Sequence, residues 1–173
     1  MKDRLIVALD KPGIAEAKEL VIQLDETITF YKVGLELFLN TRGEIIDFLK
    51  KCNKKVFLDL KFHDIPNTVV QAAKWATGLG VDMFNVHASG GREMMERTME
   101  VVNTVAAENN ILPPKVIAVT VLTSFDEAGF AQLGHRDSIK ETAKKWAEIT
   151  SKAGLNGVVC SPWEALEIKA VCG

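Results

Sequence analysis

Six short apolar runs rich in β-branched residues recur along the chain, at residues 5–9, 29–33, 56–60, 83–86, 116–121 and 157–160. Successive runs begin 24, 27, 27, 33 and 41 residues apart, which leaves room each time for a strand, a crossover helix and two loops. The intervening segments carry the period of helices. Residues 15–24 put Ala17, Leu20, Val21 and Leu24 on one stripe, and residues 68–79 follow Pro66 and end at Gly78-Leu79-Gly80. Residues 92–108 align Met95, Met99, Val102 and Ala106, and residues 138–153 stop before Gly154. A last helix is predicted to open at Ser161-Pro162-Trp163-Glu164, a capping box with proline in the first helical position. No linker or low-complexity tract interrupts the pattern, so residues 1–173 read as one α/β domain.

Alternation of strand and helix implies a parallel sheet with helices packed against it. An open doubly wound sheet and a closed barrel both satisfy that pattern, and the polar residues at the strand ends decide between them. Asp10 ends the first strand, Lys32 lies near the end of the second, and Asp59 and Lys61 end the third. His87 follows the fourth and Thr123 the fifth. In a barrel all C-terminal strand ends surround one mouth, where these groups can meet a single small ligand. In an open sheet, five neighbours at ~4.8 Å spacing spread over roughly 19 Å, and ligands gather at one switch point instead. The first turn, Asp10-Lys11-Pro12-Gly13, also lacks a Gly-x-Gly-x-x-Gly fingerprint. The pattern therefore predicts a (β/α)8 TIM barrel. Such a barrel needs eight units and usually ~200 residues or more. About six units are visible, so the expectation is a C-terminally incomplete barrel, the last units missing. A polypeptide of these residues alone, with two raw sheet edges, is expected to fold poorly or to be nearly inactive.

Composition narrows the partners. Acidic and basic residues number 23 and 21, for a net charge of −2, which argues against a general nucleic-acid binder but not against a local phosphate site. Cys52, Cys160 and Cys172 have neither metal-site nor redox-motif spacing and read as reduced, mostly buried thiols. The N-terminus, Met1-Lys2-Asp3-Arg4 followed by five apolar residues, is too short for a signal segment, and no stretch approaches a membrane span. A cytoplasmic location is expected, with neither membrane nor nucleic acid as partner.

The chemistry concentrates in Asp59-Leu60-Lys61-Phe62-His63-Asp64-Ile65-Pro66-Asn67-Thr68. Side chains two apart on a strand share a face, so Asp59 and Lys61 are expected to point together into the barrel mouth while Leu58 and Leu60 face the helices. Charged residues are seldom interior unless paired. A structural ion pair would satisfy that rule, as would a working site. Asp64 would serve equally well as a cap for the helix after Pro66. Lys32, in an otherwise apolar strand, either snorkels to the mouth or is committed to an anion. Asp10, Asp59 and Asp64 then suggest a network of alternating acids and lysines, although Asp10 alone would suit a turn. His87 shares a face with Asn85 and reads as a structural residue or as a support for that network. Gly90-Gly91-Arg92 would suit a phosphate at a helix start, and Thr123-Ser124 either meet substrate or shape a turn. His63 and His135 read as loop residues. Two aspartates near one mouth could hold magnesium, but Lys32 and Lys61 would compete with a divalent cation; no metal and no cofactor are expected.

The stretch from Asp59 to Thr68, with its Asp-x-Lys-x-x-Asp core, resembles the signature of the orotidine 5′-monophosphate decarboxylases. Val7-Ala8-Leu9-Asp10, Tyr31-Lys32-Val33-Gly34, Asn85-Val86-His87-Ala88 and Val121-Leu122-Thr123-Ser124 are similar to that family in the same order. Magnesium-dependent sugar-phosphate decarboxylases and aldolases of the same superfamily share the core, but have an acidic residue on strand two, where this chain has Lys32. The resemblance implies loss of CO2 from orotidine 5′-monophosphate to give uridine 5′-monophosphate in pyrimidine synthesis. It implies Lys61 as the acid that protonates C6 of the pyrimidine, and Asp59 against the departing carboxylate. Asp10 and Lys32 would hold ribose hydroxyls and orient the network, which makes Lys32 with Lys61, Asp59 and Asp64 the catalytic set, and Thr123 would meet the pyrimidine. Asp64 and Thr68 would reach the partner's site across a homodimer. The family's phosphate-gripping loop and arginine after strands seven and eight have no counterpart in this sequence. Two other readings stay open: a magnesium-dependent sugar-phosphate lyase, and an inactive fragment that acts only as a binding or assembly partner.

Overall fold

A computed structural model describes residues 5–173; residues 1–4, and with them the reading of the N-terminus, lie outside the described residues. The chain runs β1 (Val7–Ala8), α1 (Ile14–Leu24), β2 (Phe30–Gly34), α2 (Leu35–Thr41), α3 (Glu44–Lys51) and β3 (Lys55–Phe62). It continues with α4 (Pro66–Gly78), β4 (Met83–His87), a 3-10 turn at Ala88–Gly90, α5 (Gly91–Glu108) and β5 (Lys115–Val119). The last elements are α6 (Glu127–Ala131), α7 (Ile139–Lys152), β6 (Gly157–Val159) and α8 (Ala165–Cys172).

The six strands are all parallel and lie in chain order, β1-β2-β3-β4-β5-β6. Among the described residues the strand order never reverses and no switch point exists, so the arrangement is that of consecutive staves of a (β/α)-barrel rather than a doubly wound sheet. Alternate strand residues divide between two faces. Tyr31, Val33, Val56, Leu58, Phe84, Val86, Val116 and Ala118 join one buried core with helix residues such as Ala17, Ile45, Ala73 and Met95. Lys32, Asp59, Asn85 and His87 occupy the opposite parity and face away from the helices.

The helices form where pattern and caps agree. Helix α4 starts with Pro66 in its first turn, where a missing N–H costs nothing. Helix α7 has a full capping box: Ser138 accepts from the Glu141 amide while the Glu141 carboxylate takes the Ser138 amide. The predicted box at Ser161 is only half made. Glu164 accepts from the Ser161 amide at 3.1 Å, but the Ser161 hydroxyl takes the Trp163 amide at 3.3 Å, closing a turn instead. Helix α8 consequently begins at Ala165. Helices α2 and α3 fill the β2–β3 crossover, a stretch of helical period for which the sequence pattern set no helix bounds. They are separated by left-handed Arg42 and Gly43, at φ 49° and 83°, and held by buried Leu37, Ile45, Ile46 and Leu49. All three cysteines are free, but Cys52 is exposed and Cys160 and Cys172 only partly covered. They are therefore not the buried thiols expected; Cys52 caps the end of α3.

Side chains fasten the feet of the strands. Lys54, nearly buried, donates to the carbonyls of Asp25 and Ile28 and pairs with the Asp25 carboxylate at 3.4 Å, tying the start of β3 to the loop that enters β2. Asp82 accepts from the Val56 amide at 2.9 Å and Asn156 from the Val116 amide at 2.8 Å, repeating the device before β4 and β6. Among the described residues no helix is long and apolar enough to cross a membrane.

Candidate active site

Asp10, Lys32, Asp59 and Lys61 line one cleft of about 330 Å³ at the C-terminal ends of β1, β2 and β3, together with Leu9 and Gly34. The register places Gly34 beside Asp59 and Lys32 beside Phe57, so Lys32 rises from one layer below to meet the carboxylate. Its Nζ lies 3.1 Å from Asp59 Oδ2 and 3.6 Å from Asp10 Oδ1. Lys61 Nζ lies 2.6 Å from the other Asp59 oxygen, Oδ1. The Asp59 side chain is 10% exposed, against 76% for Asp10, so Asp59 is the inner anchor and Asp10 the outer rim.

Asp59 and Lys61 meet as expected, but not through regular pleating. Lys61 adopts φ 51°, and the pairing of β3 with β4 shifts register between Leu58 and Phe62. A left-handed lysine inside a strand is a strained conformation that surrounding contacts must impose. One contact is on the neighbouring strand: Asn85 Oδ1 accepts from the Lys61 amide at 2.8 Å, and Asn85 Nδ2 donates to Asp59 Oδ1 at 2.7 Å. Parity alone puts Asn85 on one face with His87 and does not mark it as a site residue. A buried amide in the otherwise apolar run Met83-Phe84-Asn85-Val86 was the signal.

Burial alone would raise the Asp59 carboxyl. Hydrogen bonds from Lys61, Asn85 and Lys32 outweigh it and hold the group below the ordinary carboxylate range. Burial pushes His87 the other way, keeping its imidazole neutral, and the neighbouring His63 and Lys61 add to that while Asp59 opposes it. His63 and His87 approach with ring centroids 5.1 Å apart, and Ser89 lies 3.4 Å from His63. His87 thus borders the network without joining it.

The remaining predicted residues lie apart from the cleft lining. Asp64 is exposed and accepts from the next amide, Ile65, at 2.7 Å. Thr68 is exposed on the first turn of α4, and Thr123 is exposed in the turn after β5. Gly90 has a packing reason for being glycine, since an added Cβ would stand 2.2 Å from Met94 Sδ. His135, half-buried, stacks on Phe130 at 4.3 Å.

Chemically, the cleft holds two ammonium groups around one carboxylate, fixed before any ligand arrives. Such an array stabilises negative charge that develops within it. Both Asp59 oxygens face an ammonium, so the acid is not free to bind a divalent cation, and no group of three His, Cys, Asp or Glu among the described residues is arranged to hold a metal ion.

Comparison with known proteins gives the chain's relatives. The model of the orotidine 5′-phosphate decarboxylase / HUMPS family matches residues 3–173. The chain is 45% identical over 172 residues to the orotidine 5′-phosphate decarboxylase of Nostoc sp., covering 99% of this chain and 72% of that protein. The crystal structure of orotidine 5′-phosphate decarboxylase from Lactobacillus acidophilus superposes with a TM-score of 0.90 at 34% identity, covering 98% of this chain and 76% of the other. That of orotidine 5′-monophosphate decarboxylase from Methanocaldococcus jannaschii, complexed with inhibitor BMP, gives 0.74 at 31% identity, covering 97% and 73%.

Proposed function

We propose that this chain, which belongs to the orotidine 5′-phosphate decarboxylase / HUMPS family, decarboxylates orotidine 5′-monophosphate to uridine 5′-monophosphate with Lys61 as the proton donor. The observation that carries the reading is the contact of Lys61 with Asp59 at 2.6 Å, with Lys32 on the other carboxylate oxygen. In the reaction the bond from C6 to the carboxylate breaks, and its electron pair stays on C6 as CO2 departs. A proton then passes from Lys61 Nζ to C6, and solvent returns one to the lysine. A carbanion without a delocalising cofactor needs a cation already in place. Asp59 would stand against the substrate carboxylate, a repulsion on the order of 4 kcal/mol at 4 Å and an effective dielectric of 20. That repulsion is relieved as CO2 leaves.

Asp10 and Lys32, at the rim and wall of the same cleft, are assigned to the ribose hydroxyls, and Thr123 to the pyrimidine. The protein is proposed to act as a homodimer in which Asp64 and Thr68, both exposed beside the cleft-bearing strand, enter the partner's site. The M. jannaschii relative, solved with inhibitor BMP, supports a small-molecule substrate of this kind.

Conversion of orotidine 5′-monophosphate, followed by the pyrimidine absorbance, tests the proposal. Turnover that persists in EDTA and is lost in Lys61→Ala is the expected result, and it should be far weaker for a polypeptide of these residues alone. Turnover of a sugar phosphate that stops in EDTA and returns with Mg2+ would instead identify a magnesium-dependent lyase, and binding without turnover a binding role. Mixing the inactive variants Lys61→Ala and Asp64→Ala should restore activity if sites are shared across a dimer; additive inactivity would remove that part of the proposal.

A further inference from the structure

We infer that Asn85 is a positioning residue of this site, holding the Lys61 backbone and the Asp59 carboxylate in the one arrangement that brings the lysine ammonium to the reacting carbon. The inference rests on the reading of Lys61 as the proton donor. Asn85 is 1% exposed and lies on β4 in register with the apolar Ile117 of β5, so its amide has no water to satisfy it. It spends each half on a different part of β3. Oδ1 takes the Lys61 amide at 2.8 Å, at the residue whose φ is 51°, and Nδ2 gives to Asp59 Oδ1 at 2.7 Å.

The assignment of the amide's two ends follows from its partners. A backbone N–H needs an acceptor, and an ionised carboxylate can only accept, so the oxygen must face Lys61 and the nitrogen Asp59. No other common side chain of this size does both. Aspartate would set a second carboxylate against Asp59, and leucine would fill the space but leave the Lys61 amide and one Asp59 oxygen short of a partner. Through these two bonds Asn85 ties together both ends of the bulged segment. The bulge directs the Lys61 side chain back to Asp59 Oδ1, the same oxygen that Asn85 holds.

The groups facing Asp59 are Lys61 on its own strand, Lys32 on β2 and Asn85 on β4. Asp10 beyond Lys32 and His87 above Asn85 are the next charged or titratable neighbours. Removal of Asn85 therefore raises the Asp59 titration midpoint even though both lysines remain.

The test compares the whole chain with Asn85→Leu, which keeps the branched shape but is bulkier and lacks both polar groups, and Asn85→Asp, which keeps the acceptor and loses the donor. Two readouts need no turnover: the Asp59 carboxyl titration followed by carbon NMR, and hydrogen exchange of the Lys61 amide. In Asn85→Leu the Asp59 midpoint should rise, and Lys61 exchange should quicken by about tenfold or more, as for a lost bond at a buried donor. In Asn85→Asp the Lys61 exchange should stay slow, while the new carboxyl pair titrates with one midpoint above that of wild-type Asp59. Where turnover is measured, kcat should fall about tenfold or more with KM little changed. A folded Asn85→Leu with wild-type Asp59 titration and Lys61 exchange overturns the inference. Should that variant not fold, an Asn85→Asp protein whose carboxyls both titrate like wild-type Asp59 does the same. Absence of decarboxylation in the wild type would overturn the proposed reaction while leaving these two NMR results to stand or fall on their own.

Discussion

Lys32 and Lys61 approach a single carboxylate from opposite sides, 3.1 Å from Asp59 Oδ2 and 2.6 Å from Asp59 Oδ1. The two lysines come from different strands, so the acid between them cancels part of their mutual repulsion and fixes their spacing. Lys61, whose side chain is 38% exposed, is the one with freedom to turn toward a ligand. Lys61→Ala should therefore lower kcat by at least about 10²–10³, the usual loss on deleting one preorganised group that meets developing charge. Binding of uridine 5′-monophosphate, measured by calorimetry, should change far less. Equal kcat in the variant would end its role as proton donor.

Asp59 links function to acid stability. Its carboxyl is depressed on folding, so it favours the native state above its unfolded value near about 3.9 and loses that contribution as pH falls through the folded value. Urea titrations of the wild type should show stability declining below about pH 4 more steeply than in Asp59→Asn. Parallel curves for the two proteins would count against the network as an electrostatic unit.

His87 titrates with the same sign in a different window. Burial, with His63 and Lys61 behind it, favours the neutral ring, and Asp59 only partly opposes this. The unfolded chain therefore takes up a proton at higher pH than the folded one, and stability falls as pH drops from about 6.5 toward the folded value. His87→Gln should flatten the stability profile between about pH 7 and 5. An unchanged slope would show that the ring charges in the native state at no cost.

Gly90 tests packing rather than charge. Its φ of −68° suits any residue, yet an added methyl would lie 2.2 Å from Sδ and 2.5 Å from Cε of Met94, which is fully buried. Gly90→Ala should cost about 1–3 kcal/mol, the range for overpacking a filled core. Thermal unfolding reads this directly, and a Tm equal to wild type would mean that Met94 has room to swing aside.

Strand order and parity were legible because the sheet's helix-facing side is apolar at every second position. Tyr31 and Val33, Val56 and Leu58, and Phe84 and Val86 mark it without ambiguity. The same parity brought Lys32 and Asp59 to one face. What parity cannot carry is a departure from parity. The left-handed turn at Lys61 depends on an acceptor 24 residues away on another strand, and no local signal in Asp-Leu-Lys announces it. Helices α2 and α3 were legible only as a helical stretch without bounds: each is under nine residues long, and where one ends and the next begins is set mainly by burial against the core. The half-made box at Ser161 shows the converse, a local motif whose donors found other partners.

The fastening of strand feet has a consequence for inherited variation. Lys54 precedes Asp59 by five residues, roughly 16 Å of extended chain, and anchors the loop that leads to Lys32. A change at that distant lysine would let two neighbouring ribbons slide against each other, and the mouth would lose its spacing without any group there being altered. Silent-looking alleles at the floor of the molecule are thus candidates for loss of activity.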